Sequence, residues 1–306
     1  MSSFPPKTLA TPFRDSCSGE TWRAVIRTIL DRHRLPAGDA APFASGSDVV
    51  FGTSAHVVKL TAPRWQEEIE TEARFLAHCE GGLPVATPEP VAAGEIEEWP
   101  YVVMTRIEGV PLGSIFEDLA PRERLALAGE LGETAAALHH LPPIASSPWE
   151  PFLETCRKTL PARHREGVEA ALLRSVQDLA DRTPLSRRDT VPLHTELLGD
   201  HVLVHKTGGT PHLTGLIDFA DGRMGHPFYE FGAPVEFLFA GRPECLGRFL
   251  EAYGLDPGNR RTVGRELAVW YLLHRFGFLA RLLDRIEGPA PVDAEELVDR
   301  CFLPGL

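Results

Sequence analysis

The chain changes character at Gly109, and that change constrains its fold more than any other feature. Before it, Trp22, Val25, Ile26, Ile29 and Leu30 recur at helical spacing and predict a helix from Glu20 to Arg34, closed by Pro36 and Gly38. FASGSDVVFGTSAHVVKL, residues 43–60, reads as a β-hairpin turning at Gly52. RWQEEIETEARFLAHC, residues 64–79, reads as a helix with an acidic outer face. A strand ending near Val91, a turn, and a strand over Tyr101–Thr105 complete a small sheet. Beyond Gly109 the periodicity is helical over residues 121–141, 161–181, 234–253 and 262–285. Only LHTELLGDHVLV, residues 193–204, and LTGLIDF, residues 213–219, keep strand character there, and Gly208–Gly209 predicts a hairpin between them. The expectation is an α+β fold in two lobes. A small, mainly β N-lobe with one key helix spans residues 1–104, its first 18 forming a flexible arm, and a large helical C-lobe carrying the hairpin spans 105–306.

Charge and cysteine usage narrow the function. A net charge of -12 over 306 residues excludes a nucleic-acid binder that works by neutralising phosphates, and it suits a cationic small-molecule partner. The longest apolar tract, residues 267–283, is broken by His274, Arg275 and Arg281, so no membrane span is expected. Prolines in MSSFPPKTLATPFRD interrupt what a signal peptide would need as an apolar core, which points to the cytoplasm. Five cysteines without a C-x-x-C pair suit reduced thiols, and they support neither a disulfide framework nor a cysteine zinc site.

The polar stretch between the two late strands carries the chemistry. His194, Glu196 and His201 fall in the spacing H-x-[DE]-x4-[NH] of a kinase-type catalytic loop, in which the acid orients the acceptor hydroxyl and the last residue faces a metal ion. Asp218, at the end of the next apolar run, stands where a second acid binds the metal bridging the phosphates. Upstream, Lys59 in HVVKL is a cation on a strand, and Glu72 on the following helix can pair with it and aim it at phosphate. Taken singly, Lys59 reads as an edge-strand lysine and Glu72 as a solvated helix residue. The order lysine, glutamate, acid loop, aspartate favours the functional reading of both. The backbone of Ser45, Gly46 and Ser47 offers a weak nucleotide contact, because SGSDVVFG lacks G-x-G-x-x-G and Walker A spacing.

With SGSDVVF, VVKL, ETEARFLAHC, PYVVMTRIEGVPL, LGETAAALHHLP, LHTELLGDHVLV, LTGLIDFADGRMGHPFYEFG and RFLEAYG in this order, the chain resembles the aminoglycoside phosphotransferase family, with its choline-kinase-like members, from Phe43 to Tyr253. The resemblance implies a bilobal protein-kinase-like fold with ATP between the lobes and Mg²⁺, or alternatively Mn²⁺, as the metal. It implies transfer of the γ-phosphate to a hydroxyl of a small molecule, an aminoglycoside being one candidate. It further implies that Met104, Thr105, Arg106 and Ile107 form the adenine-binding hinge, that Lys59 and Glu72 position the phosphates, and that Glu196 is the catalytic acid. Asp218 and His201 take the metal positions, Glu230 braces the catalytic loop, and His194 is structural.

Two departures separate this chain from the family's H-G-D-x-x-x-x-N. Thr195 and Glu196 replace Gly and Asp, and the extra methylene asks the loop to retract by roughly 1 Å, a displacement that can cost about a hundredfold in rate. His201 replaces Asn, an imidazole that suits Mg²⁺ poorly. It is expected either to ligate a metal or, the favoured option, to hydrogen-bond Glu196 or a phosphate oxygen. A zinc site of His194, Glu196 and His201 is the minor alternative, since H-x-E-x4-H is not the helical H-E-x-x-H spacing. Asp221, Glu236, Glu244 and Glu251 are candidates for a cationic substrate, with Trp270 and Tyr271 as pocket-lining aromatics, although a solvated helix face is the favoured reading of such acids and core packing the default for such aromatics. The rival reading is a pseudokinase that retains nucleotide without transfer, and a third is an enzyme that moves another part of ATP. Oligomeric state has no signature in the sequence.

Overall fold

Antiparallel strands and two helices build the first part of the chain, in a computed structural model that describes residues 19–43, 46, 48–255 and 258–305. The arm expected over residues 1–18 lies outside the described residues, as do Ser45 and Ser47. Two compact units emerge: one takes the chain up to Gly81 with Ala86–Glu108 and Asp218–Asp221, the other takes Gly82–Val85, Gly109–Ile217 and Gly222 onward. The fold is α+β, with the sheet in the first unit and most helices in the second.

In the first unit, α1 (Gly19–Arg32) precedes β1 (Ala41–Pro42), β2 (Val49–Gly52) and β3 (His56–Leu60). Helix α2 (Gln66–Cys79), β4 (Pro90–Ile96) and β5 (Trp99–Thr105) follow. The five strands pair antiparallel in the order β1-β2-β3-β5-β4. Helix α1 buries Trp22, Val25, Ile26, Ile29 and Leu30 against Val58, Leu60, Trp99, Tyr101 and Val103, with Trp22 edge-on to Trp99 at 5.6 Å. The period of two along a strand then puts Lys59 on the face away from α1.

The strand expected to end near Val91 instead runs over Pro90–Ile96. It turns at Glu97 and Glu98, whose φ values of 50° and 66° are those of a two-residue hairpin turn usually built from Asn or Gly. No turn-forming residue marks that position in the sequence.

In the second unit, β6 (Val110–Pro111) leads to α3 (Pro121–His140), α4 (Trp149–Arg163) and α5 (Ala170–Arg182). Strands β7 (Val191–Leu193), β8 (Val202–Thr207), β9 (Thr210–Leu216) and β10 (Arg223–Gly225) follow, with β6-β8-β9 and β7-β10 pairing as two small sheets. Helices α6 (Pro227–Glu230), α7 (Gly232–Phe237), α8 (Pro243–Tyr253), α9 (Arg260–Leu273), α10 (Leu279–Leu283) and α11 (Ala294–Leu297) complete it, with a π turn at Val298–Phe302. Gly208 and Gly209, at φ 60° and 87°, turn the β8–β9 hairpin. Helix α3 lies so close to α8 that a Cβ at Gly132 would collide with the Phe249 carbonyl.

Three expected helices are interrupted. The 161–181 helix is in fact the end of α4 and all of α5, separated at Gly167 with φ 73°. The 234–253 segment divides into α7 and α8 around Gly241, φ 69°, and the 262–285 segment divides into α9 and α10 around Gly277. At Gly277 a Cβ would meet the Tyr271 carbonyl, so close backbone packing ends α9 where apolar periodicity alone continues. Among the described residues no helix is long and apolar enough to cross a membrane.

Candidate active site

Lys59 gathers three carboxylates. Its Nζ lies 2.7 Å from Asp218, 3.0 Å from Glu72 and 3.6 Å from Asp48, and the lysine is 5% exposed. Strand β3 supplies the lysine, the buried face of α2 supplies Glu72, and the end of the β9 run supplies Asp218. Burial works against the ammonium charge, but Asp218, Glu72 and Asp48 together outweigh it and hold Lys59 protonated well above its ordinary range. The cost falls on the acids. Burial lifts Glu72 to about 7 against the pull of Lys59, and burial likewise raises Asp48. One cation against three carboxylates leaves this cluster with an excess of negative charge.

The residues expected to form the catalytic loop are fixed by backbone bonds. His194 is fully buried; its Nε2 bonds the Ile217 carbonyl at 2.9 Å and its Nδ1 accepts from Glu196 N–H at 3.2 Å. Both ring nitrogens are thereby committed, which removes His194 as a zinc ligand. Among the described residues no three His, Cys, Asp or Glu side chains are arranged to hold a metal. Glu230, buried on α6, accepts from His194 N–H at 2.6 Å and lies 3.6 Å from His139 Nε2.

Thr195, at the position of the family's Gly, has φ 73° and is buried, and His274 Nε2 bonds its carbonyl at 2.8 Å. A β-branched residue in the left-handed region is strained. Asp218 also lies in that region, with φ 67°, where an aspartate is better tolerated. His201 Nδ1 bonds the Glu196 backbone carbonyl at 3.0 Å. This bond ties His201 Nδ1 to the backbone of the loop.

Gly46 has φ 99°, a value that suits glycine. In the hinge segment, Thr105 N–H donates to Glu89 O at 3.0 Å and Arg106 N–H to Ala55 O at 2.9 Å. Those two donors are consumed within the first unit. Met104 is buried at the end of β5, and the Arg106 guanidinium reaches Thr53 O at 2.8 Å and covers the Phe43 ring.

A cavity of about 190 Å³ in the second unit is lined by Glu196, Glu236, Tyr271, Phe276, Phe278 and Arg281, with neighbours from α7. It joins Glu196, the expected catalytic acid, to two of the substrate candidates, Glu236 and Tyr271. Glu236, 1% exposed, receives the Tyr271 hydroxyl at 2.9 Å and an ion pair from Arg281 Nε. Burial holds the Tyr271 hydroxyl protonated far above its ordinary range. Trp270 turns elsewhere: it is 2% exposed, stacks on His226 at 4.2 Å and donates to Glu266 at 3.3 Å, so it is a core residue and the expectation of a pocket-lining role does not describe its surroundings. Asp221 belongs to the first unit, and Glu251 pairs with Arg248 at 2.9 Å while Glu244 is exposed on α8.

Asp48, Arg281, His274 and the Phe276–Phe278 pair were not singled out in the sequence. Asp48 carried a usable signal, since it is two residues ahead of Val50, the partner of Lys59 across the hairpin, and so faces the same side of the sheet. Arg281 lies in an apolar tract where it read only as an interruption, and nothing local marks its partner.

Residues 39–266 match the model of the phosphotransferase enzyme family, APH. The chain is 28% identical over 198 residues to viomycin phosphotransferase of Streptomyces vinaceus, covering 59% of this chain and 66% of that protein, just under two thirds of its length. It is similar to the GDP and kanamycin complex of APH(2")-IIia, with a TM-score of 0.65 and 18% identity over 82% of this chain and 88% of that one. It is also similar to the aminoglycoside phosphotransferase APH(3'')-Id of Streptomyces rimosus in complex with ADP and streptomycin, with a TM-score of 0.56 and 14% identity over 81% and 96%. At such identities the solved structures speak for the fold, and the family model speaks for descent: the chain belongs to the phosphotransferase enzyme family and has its protein-kinase-like fold.

Proposed function

We propose that the protein transfers the γ-phosphate of ATP to a hydroxyl of a small molecule, with antibiotics of the aminoglycoside kind as the leading acceptors. The observation that carries this is the buried Lys59, held at 3.0 Å by Glu72 and at 2.7 Å by Asp218, in a chain of the phosphotransferase family. A lysine so held is a fixed positive charge for phosphate oxygens, and electrostatic positioning is most of what phosphoryl transfer needs from a protein. The relatives supply the acceptor class: one is a viomycin phosphotransferase, and solved neighbours hold kanamycin or streptomycin beside GDP or ADP.

The carboxylate excess around Lys59 is the chemistry a divalent cation requires, since Mg²⁺ takes carboxylate and phosphate oxygens. Asp218 would hold it, and the metal would neutralise charge on the phosphates. With its Nδ1 on the Glu196 carbonyl, His201 serves to shape the loop. Glu196 would accept the hydrogen bond of the acceptor hydroxyl and orient its oxygen toward the phosphorus. For adenine, the N–H donors of Thr105 and Arg106 are spent, and Ile107 N–H would be the donor of the segment.

The test is incubation with ATP or GTP, Mg²⁺ or Mn²⁺, and a panel of viomycin, kanamycin, streptomycin and simple hydroxylated metabolites. Phosphorylated acceptor with an equal amount of nucleoside diphosphate supports the reading. Nucleotide that raises the melting temperature without any product in either metal would establish the pseudokinase instead.

A further inference from the structure

The direction in which the Glu196 side chain leaves the backbone depends on one planar unit, the peptide that joins the Thr195 carbonyl to the Glu196 N–H. Two histidines hold that peptide from its opposite sides. His194 Nδ1 accepts the Glu196 N–H at 3.2 Å, and His274 Nε2 donates to the Thr195 carbonyl at 2.8 Å. His194 belongs to the loop itself, whereas His274 follows the last residue of α9 and lies 79 residues further along the chain than Thr195. With Thr195 at φ 73°, a conformation that a β-branched residue avoids when unconstrained, the plane needs such an anchor from outside the loop.

The second nitrogen of His274 is also used. The ring is 3% exposed, and burial lowers its pKa to about 4, so it is neutral. With the proton on Nε2, Nδ1 is an acceptor, and it takes the Phe276 N–H at 3.3 Å. The ring stacks on the buried Tyr229 at 4.5 Å, and the Tyr229 hydroxyl accepts the Arg275 N–H at 3.0 Å. Phe276 and Glu196 both line the cavity of about 190 Å³ described above. One imidazole therefore joins the peptide ahead of the acid to the wall of the cavity that the acid enters. A residue that only filled the space beside Tyr229 would need neither bond, and phenylalanine would serve.

We infer that His274 is a positioning residue for the transfer: it fixes the Thr195–Glu196 peptide, and so the direction of the Glu196 carboxylate, and it anchors Phe276 in the wall of the same cavity. This rests on the proposed function in giving Glu196 the acceptor hydroxyl.

Two substitutions divide the two bonds. Glutamine places an N–H donor close to the position of Nε2, and asparagine places an oxygen that accepts the N–H two residues on, as Nδ1 does. His274→Gln is expected to keep kcat within about three-fold and to raise the acceptor KM, while His274→Asn keeps that KM and loses about ten- to a hundredfold in kcat. His274→Phe preserves ring volume and loses on both counts. Equal kinetics in the three variants, or kcat lost with glutamine and kept with asparagine, overturns the inference.

Hydrogen exchange of the Glu196 amide, followed by NMR on the full chain, reads the same peptide without turnover. Exchange is expected to quicken about ten-fold in His274→Asn and His274→Phe and to stay unchanged in His274→Gln, with the amides of α3 reporting that each variant is folded. Unchanged Glu196 exchange in all three overturns the inference. In the unaltered protein the His274 nitrogen shifts are expected to place the proton on Nε2, and a proton on Nδ1 overturns it with no variant needed. The exchange pattern without any phosphorylated acceptor would leave the grip on the peptide standing and the proposed function refuted, so the two failures are distinguishable.

Discussion

His274 Nε2 lies 2.8 Å from the carbonyl oxygen of Thr195, and this bond from a buried histidine fixes a β-branched residue at φ 73° just ahead of Glu196. A residue held in the left-handed region costs about 1–2 kcal/mol, relieved by glycine alone. Thr195→Ala and Thr195→Gly lose the same buried hydroxyl and methyl, but only glycine escapes the backbone strain. Denaturant titration is expected to find Thr195→Gly more stable than Thr195→Ala by about 0.5–1 kcal/mol, the reverse of the order at an ordinary φ. Alanine above glycine would show that the strain is absent.

Acid is expected to unfold the protein early. Burial lowers His164, His226 and His274 to about 4, and each is bonded as a neutral ring to a backbone carbonyl, of Leu272, Ser186 and Thr195. The unfolded rings take up protons near 6.5, so between 6.5 and 4 the unfolded state binds more protons and stability falls with pH. At pH 5 the loss is about 2 kcal/mol per ring. Glu72, raised by burial to about 7, runs the other way and regains about 3 kcal/mol over the same range. Asp48, raised by burial as well, acts in the same direction as Glu72; against these two carboxylates the three rings still make the protein less stable at pH 5 than at pH 7.5. Constant stability over that interval would contradict the buried-neutral assignment.

Glu72→Gln separates stability from activity. Removing a carboxylate that burial has raised to about 7 relieves a desolvation cost at pH 8, while Lys59 keeps Asp218 and Asp48. The melting temperature at pH 8 is expected to equal or exceed that of the unaltered protein. Without the bond that aims Lys59, phosphotransfer is expected to fall about ten-fold or more. Full activity in this variant would remove Glu72 from the positioning of the phosphates.

The Lys59 cluster was legible as an order of residue types along the chain: Glu72 and Asp218, expected with Lys59, lie 3.0 and 2.7 Å from its Nζ. The sheet was legible through β-rich runs such as HVVKL and PYVVMT. What hid was set by backbone conformation or by distant partners. The Glu97–Glu98 turn has no glycine, and the end of α9 comes from close packing at Gly277. The neutralisation of Glu236 depends on Arg281, 45 residues away. For Trp270 the sequence left both a pocket and a core position open, with the core as default, because helical periodicity does not say whether a ring meets solvent or, as here, His226.

The measurement that bears most directly on the central claim is transfer of γ-labelled phosphate from ATP to an acceptor hydroxyl by the unaltered protein and by Glu196→Ala, at equal nucleotide occupancy. The expected result is labelled acceptor from the unaltered protein, and a rate about a hundredfold lower, within the 10²–10⁴ range for loss of a proton-accepting group, from the variant. Equal rates in the two proteins would contradict the role given to Glu196, and absence of labelled acceptor from both would contradict the proposed function.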